Sequence, residues 1–507
     1  MPGSRTCLPK AVLIPALDFE DARAQKESQV PGDPKNFYAQ WRRHHGAAIE
    51  LRDDSDTPPE RLLQAIWQHQ RLQREKLCTL DGTTLRVLHP GFANVGSGPD
   101  FRGAVIQVGD AIVQSGDVEV DLRPGGWRAH GHDRNPAFKN VVLHVVWSAE
   151  RTPAFPGHTV ALQPVLDAPV GELSLWLERE PLKALPENLR GKCSAPLREL
   201  DEAALNDLLQ QAARVRLEAK AAQFQARARQ TGWEQALWEG LFRAAGYQHN
   251  TWPMQCLAET RERWSGKEKS VIILQSRLLG LSGLLPFELT RRESGADGYL
   301  RRVWDHWWRE RDEFSDLHLP RDVWRLHGLR PANHPQRRLA LAAHWIARHD
   351  LPNLIERWCH SSPADSTLEQ SLMEILAVGP DEFWSWHWTF RSARLTKAQP
   401  LLGATRVTDI AVNVVLPWLW RRAVEGGNEE LRETIERRYA AWPAAEDNSV
   451  LRLARQRLLG STSTKRFRHA IQQQGLMQIV RDYCDHSNAT CDECGFPRLV
   501  KAWHQAK

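Results

Sequence analysis

Residues 98–121 read GPDFRGAVIQVGDAIVQSGDVEVD. Apolar residues at Ala104, Val105, Ile106 and Val108, a break at Gly109, and a second run through Val118, Val120 and Leu122 predict two strands of one hairpin. In the second run the apolar residues alternate with Glu119 and Asp121, so both carboxylates leave the strand from one face. Asp100 follows a Gly-Pro turn at the head of the hairpin, where a neighbouring strand brings it beside them. Three carboxylates gathered at a sheet edge repel one another unless a hard cation neutralises them, and Mg²⁺ or Mn²⁺ is the expected occupant.

Outward from this stretch the pattern stays that of a sheet fed by a helix. PERLLQAIWQHQRL, residues 59–72, places Leu62, Leu63, Ile66 and Trp67 on one helical stripe, with Pro59 suited to the first turn. TTLRVLHPG (83–91) and NVVLHVVW (140–147) read as further strands. From about Leu200 the texture becomes helical: Leu205, Leu208, Leu209, Ala212, Val215, Ala219 and Ala222 form one apolar face opposed by Arg and Lys. The fold class expected is α+β, an N-terminal mixed sheet domain with flanking helices followed by a large all-α domain. The boundaries expected are a mobile arm over 1–35, an α+β domain over 36–195, a helical domain over 196–480 and a Cys-containing tail over 481–507.

A chain of 507 residues exceeds what one core usually supports, so more than one domain is required. Hydrophobic residues make up 42% and charged residues 25%, which excludes a disordered or fibrous chain, while 22 Trp against 5 Tyr favours large buried rings. Lys and Arg exceed Asp and Glu by 67 − 62 = 5, a balance that permits contact with DNA or RNA without requiring it. No apolar run approaches the roughly 18 residues needed to span a bilayer, so a cytoplasmic protein without membrane contact is expected.

Three further groups carry chemistry. WRAHGHDRNPAFKNVVLHVVW supplies His130, His132 and His144 next to the carboxylates, as metal ligands, a general base or a cationic partner. A His alternating with Val, as His144 does, is more often a satisfied interior or edge histidine than a ligand. Near the end, Cys484, Cys491 and Cys494 have the spacing C-x6-C-x2-C, which suits Zn²⁺ or an iron–sulfur cluster lacking one ligand. Cys193 at the domain junction is the fourth ligand expected, with His486 as the substitute; such an ion would clasp the tail onto the N-terminal domain. Finally, Arg325, Arg330, Arg337 and Arg338 surround a Pro-containing turn, where they would either grip phosphates or solvate helix ends.

Pro99-Asp100, a hairpin, then Glu119 resembles the active site of the PD-(D/E)xK nucleases. That resemblance implies a restriction-endonuclease-like fold, in which a Glu on the preceding helix corresponds to Glu60, and Asp100 and Glu119 hold the ion. Where those nucleases carry Lys this chain has Asp121, which would act as a further ligand with His130 or His132 as base. The motifs AIWQHQRL, GPDFRGA, GDVEVDL, HGHDRNPAFKNVVLHVVW, LFRAAGYQHN and YCDHSNATCDECG together identify the chain as a member of a bacterial family known as domain of unknown function 2851. The function expected is a metal-dependent phosphodiesterase, a nuclease. The alternatives are a non-catalytic nucleic-acid- or protein-binding protein with a degenerate nuclease-like domain, and a metal hydrolase of another substrate class.

Overall fold

The computed structural model describes residues 36–40, 58, 60–94, 98–149, 155–170, 173, 191–247, 249–289, 298–327, 329–361, 363–447, 449–460, 467–484 and 494–505. The arm expected over 1–35 and the ligand candidates His486 and Cys491 lie outside these residues. The chain divides into two compact units, Met1–Pro181 and Leu182–Lys507.

The first unit is built on a six-stranded mixed sheet: β1 (Leu85–His89), β2 (Phe92–Ala93), β3 (Phe101–Val108), β4 (Gln114–Asp121), β5 (Val141–Val146) and β6 (His158–Ala161). The strands lie in the order β1-β3-β4-β5-β6, with β2 alongside β3. Pairing is antiparallel from β1 through β4 and parallel from β4 through β6. A helix over Glu60–Gln68 precedes the sheet, as its apolar stripe predicted, and packs against β4. Leu62, Leu63, Ile66 and Trp67 are buried with Val87, Ile106, Val118, Val120, Leu143 and Val145 in one apolar core. The two-residue period of a strand then sends Glu119, Asp121 and His144 to the other side of the sheet from those valines and Leu143.

What covers that other side is the connection from β4 to β5. A parallel pair cannot be closed by a tight turn. Here the connection is a short helix, Gly126–Ala129, followed by two 3-10 turns, His132–Arg134 and Pro136–Phe138. Trp127, Phe138, Val141 and Phe155 form a second, smaller apolar cluster there. Strand β6 escaped the sequence reading because it is only four residues long, HTVA, between Gly157 and a turn.

Among its described residues the regular elements of the second unit are all helices. Its longest helix, Glu202–Thr231, is capped by Asp201, whose carboxylate accepts the amide of Ala204, and ends at Gly232 with φ of 85°. The helix Ala470–Ile479 lies against it at Gly475, where a Cβ would stand 2.2 Å from the carbonyl oxygen of Leu209. Among the described residues no helix is long and apolar enough to cross a membrane.

Candidate metal centre

Strand β4 delivers Glu119 and Asp121, and the register with β5 sets Glu119 opposite His144. Asp100 stands immediately before β3. Its main-chain amide donates to Oε2 of Glu119 at 3.1 Å, and its own carboxylate accepts the amide of Val120 at 3.1 Å. Gln64, one turn along the helix from Glu60, extends Nε2 to both acids, 3.1 Å from Oε1 of Glu60 and 3.2 Å from Oδ1 of Asp100. Glu60, Asp100, Glu119 and Asp121 therefore form one neighbourhood, fed by a helix, a turn and a strand.

The electrostatics record that crowding. Burial, with the charge of Asp100 added, pushes Glu119 up to about 8. Asp100 is raised to about 6, by burial first and then by Glu60, against the hydrogen bond from Val120. Glu60 at the rim is raised by loss of hydration and by Asp121, and the nearby His130 opposes the shift. A divalent cation bound among groups that raise one another in this way would displace their protons.

Three imidazoles complete the site. His144 is fully buried, and its Nε2 lies 2.9 Å from Oδ2 of Asp121. With its Nδ1 unpartnered, the proton belongs on Nε2, so His144 donates to Asp121 and fixes that carboxylate from behind. On the open side His130, half exposed, brings Nδ1 to 3.0 Å from Oδ1 of Asp121. His132 brings Nε2 to 3.0 Å from Oε1 of Glu119. The His132 ring is held by stacking on Phe138, with centroids 4.0 Å apart, and by the edge of Trp127. One donor atom each from Asp121, His130 and His132 lies within 4.8 Å of the others. Gly126 makes the enclosure possible, because a Cβ there would stand 2.6 Å from the Asp121 carboxylate.

The acidic and imidazole candidates between Glu60 and His144 thus meet, with His144 behind Asp121 instead of facing the open side. Gln64 was not foreseen, although its position four residues after Glu60 in ERLLQ places both on one helix face. Gly126 carried no signal, since glycines are common in such connections.

A family model described as a protein of unknown function, DUF2851, matches residues 60–449. The chain belongs to the DUF2851 family. The DUF2851 match begins at Glu60 and takes in every residue of the site from Glu60 to His144, while Cys484 and Cys494 fall beyond it. No curated protein and no solved structure matches the chain.

The remaining candidates lie in the second unit. Arg337 and Arg338 are buried: Arg337 donates to the carbonyls of Gln399 and Pro400 and lies over the Trp388 ring, and Arg338 donates to the carbonyls of Leu401 and Ala332. Their guanidiniums fasten the 399–402 segment and are withdrawn from any phosphate at the surface. Arg325 and Arg330 are exposed, and Arg330 approaches Glu446 at 3.4 Å. Cys193 belongs to the second unit with Cys484 and Cys494, a boundary drawn earlier in the chain than residue 195, so an ion shared among them would close a loop inside that unit. Cys193 directly precedes the helix Ser194–Glu199, which packs against the helix Phe496–Gln505. Tyr483 and Phe496 lie with ring centroids 4.8 Å apart, which joins the neighbourhoods of Cys484 and Cys494.

Proposed function

We propose that the N-terminal unit is a divalent-metal-dependent phosphodiesterase that cleaves nucleic acid. The observation that carries this reading is the meeting of Glu60, Asp100 and Glu119, supplied by a helix, a turn before a strand and the next strand, in the order that the PD-(D/E)xK resemblance implies. Asp100 and Glu119 would hold Mg²⁺ or Mn²⁺, with Asp121 beside them. A bound ion of this class polarises the scissile phosphate and lowers the pKa of an attacking water. Gln64 spaces Glu60 from Asp100, and the amides of Asp100 and Val120 keep the two carboxylates from turning away. Asp121 stands where the resemblance would place Lys, so the positive charge near the attacking water has to come from another source; beside Asp121 and Glu119 stand His130 and His132.

The test is cleavage of single- and double-stranded DNA and RNA by the purified chain with Mg²⁺ or Mn²⁺. Metal-dependent cleavage that Asp100→Asn abolishes, with the melting transition retained, supports the reading. Binding of the same substrates without cleavage under any ion would overturn it in favour of a non-catalytic nucleic-acid-binding protein.

A further inference from the structure

We propose that Asp121, His130 and His132 form a second, nitrogen-rich centre that takes a first-row transition ion of the Zn²⁺ class, beside the carboxylate pair Asp100 and Glu119. The inference deepens the phosphodiesterase reading and rests on it for its role, since this ion would supply the positive charge that the chain lacks at Asp121.

Three observations point there. First, two donors on a transition ion, each about 2.0–2.2 Å from it, stand roughly 3–3.5 Å from one another. His130 Nδ1 stands 3.0 Å from Asp121 Oδ1, and one donor atom each of Asp121, His130 and His132 lies within 4.8 Å of the others. Second, the approach of His132 to Glu119 is not a hydrogen bond. Nε2 of His132 is enclosed and has no hydrogen-bond partner, although the carboxylate oxygen is close. A ring nitrogen and a carboxylate oxygen this close without the geometry of a hydrogen bond stand as two ligands of one ion would. Third, the surroundings are those of a ligand set. His144 holds the rear oxygen of Asp121 at 2.9 Å, and Phe138 and Trp127 fix the plane of His132. A carboxylate or imidazole oriented by an outer partner in this way binds metal more tightly than a free one.

The donor chemistry selects the ion. Two imidazoles and a carboxylate suit Zn²⁺, Co²⁺, Fe²⁺ or Mn²⁺, and affinity at such a set rises from Mn²⁺ through Co²⁺, with Zn²⁺ well above Mn²⁺. Mg²⁺ prefers oxygen and keeps its waters, so it belongs with Asp100 and Glu119. The pair of centres would then differ in hardness, and Glu119, which touches both Asp100 and His132, lies between them.

The experiment titrates the metal-free full-length protein with Co²⁺, followed by its visible absorption, and then displaces it with Zn²⁺, Mn²⁺ and Mg²⁺. The expected result is a Co²⁺ band that Zn²⁺ removes at the lowest concentration and Mg²⁺ at the highest. His132→Ala and His130→Ala should each abolish the band and weaken Zn²⁺ by about 10-fold or more. Asp100→Asn should leave the band in place. His132→Cys, which restores a soft donor, should recover binding with a thiolate-to-cobalt charge-transfer band, and this separates loss of a ligand from loss of fold. Retention of the Co²⁺ band and of Zn²⁺ affinity in both alanine variants would overturn the proposal. The two readings fail separately: a His-dependent Zn²⁺ site in a protein that cleaves nothing leaves the centre standing without the nuclease, and Mg²⁺-dependent cleavage without His-dependent Zn²⁺ binding does the reverse.

Discussion

The amide of Asp100 donates to the carboxylate of Glu119 at 3.1 Å, so an acid in the turn before β3 and an acid on β4 are joined through a main-chain group that cannot titrate. The contact fixes their separation whether or not either acid is charged. It also means that protonation, not movement, is how the metal-free site relieves its repulsion.

A first prediction is therefore a pH slope of unusual sign. Glu119 is raised from 4.5 to about 8 and Asp100 from 3.8 to about 6 in the folded state. The folded chain binds more protons than the unfolded one over that range, so stability is full below about pH 4 and falls as pH rises through 6 and 8. The expected loss for Glu119 is of order 2–4 kcal/mol at pH 8. In EDTA the melting temperature should drop between pH 5 and 8.5; Glu119→Gln should remove most of that drop, and added divalent ion should restore stability at the high-pH end.

His89 imposes the opposite slope. It is 2% exposed, its Nδ1 accepts the amide of Gly91 at 3.0 Å, and burial lowers it from 6.5 to about 4. The unfolded chain binds the extra proton here, so this contribution is present above pH 6.5 and is lost as pH falls towards 4, at a cost of order 2–3 kcal/mol. His89→Asn keeps an acceptor for Gly91 without the titration. Acid melting curves of that variant should be flatter below pH 6 than those of the parent.

Gly126→Ala tests the enclosure of Asp121. Its Cβ would meet the carboxylate at 2.6 Å, so either the Gly126–Ala129 helix or Asp121 has to shift. Overpacking of this kind costs about 1–3 kcal/mol. Divalent-ion affinity should fall along with the melting temperature, whereas a variant at Gly125, where a Cβ meets nothing within 4 Å, should change neither.

Gln64→Ala should release Glu60 from Asp100 while leaving the apolar stripe of the helix intact. Isothermal titration with Mn²⁺ is expected to show weaker binding with little change in melting temperature. Gln64→Glu, which adds a fifth carboxylate to the neighbourhood, should lower the melting temperature of the metal-free protein at pH 8 and be rescued by Mn²⁺.

The cysteines give the last prediction. The thiol spacing near the C terminus, together with the packing of the helices that follow Cys193 and Cys494, leads us to expect a thiolate-held Zn²⁺ or iron–sulfur cluster within the second unit. Cys193→Ser and Cys484→Ser should each lower bound metal, read by elemental analysis of anaerobically purified protein, and lower the melting temperature by similar amounts. Equal metal content in parent and variants would sink the idea.

Much of the sheet was legible because its signal is periodic. Val118 and Val120 alternate with Glu119 and Asp121, and alternation alone assigns both carboxylates to one face; His144 joins them only through the register of β5 on β4. The meeting of Asp100 with Glu119 followed from the hairpin. What could not be read was anything set by the crossover from β4 to β5: its turns come from unrelated local conformations, and only the folded chain shows that His130 reaches Asp121 while His132 reaches Glu119. The role of Arg337 and Arg338 was misjudged for a similar reason. A guanidinium has the same composition whether it meets phosphate or a main-chain carbonyl, and burial decides between them.

Every donor of the site lies between Glu60 and His144, on the helix before the sheet, on the sheet or on its crossover. Because chains emerge N terminus first, each of these groups has left the ribosome before the long helix Glu202–Thr231 has begun to be made. The acidic and imidazole groups thus meet the surrounding ions while the helical half is still being translated, which would make the order of synthesis, as well as affinity, a determinant of which ion the proposed centres capture first.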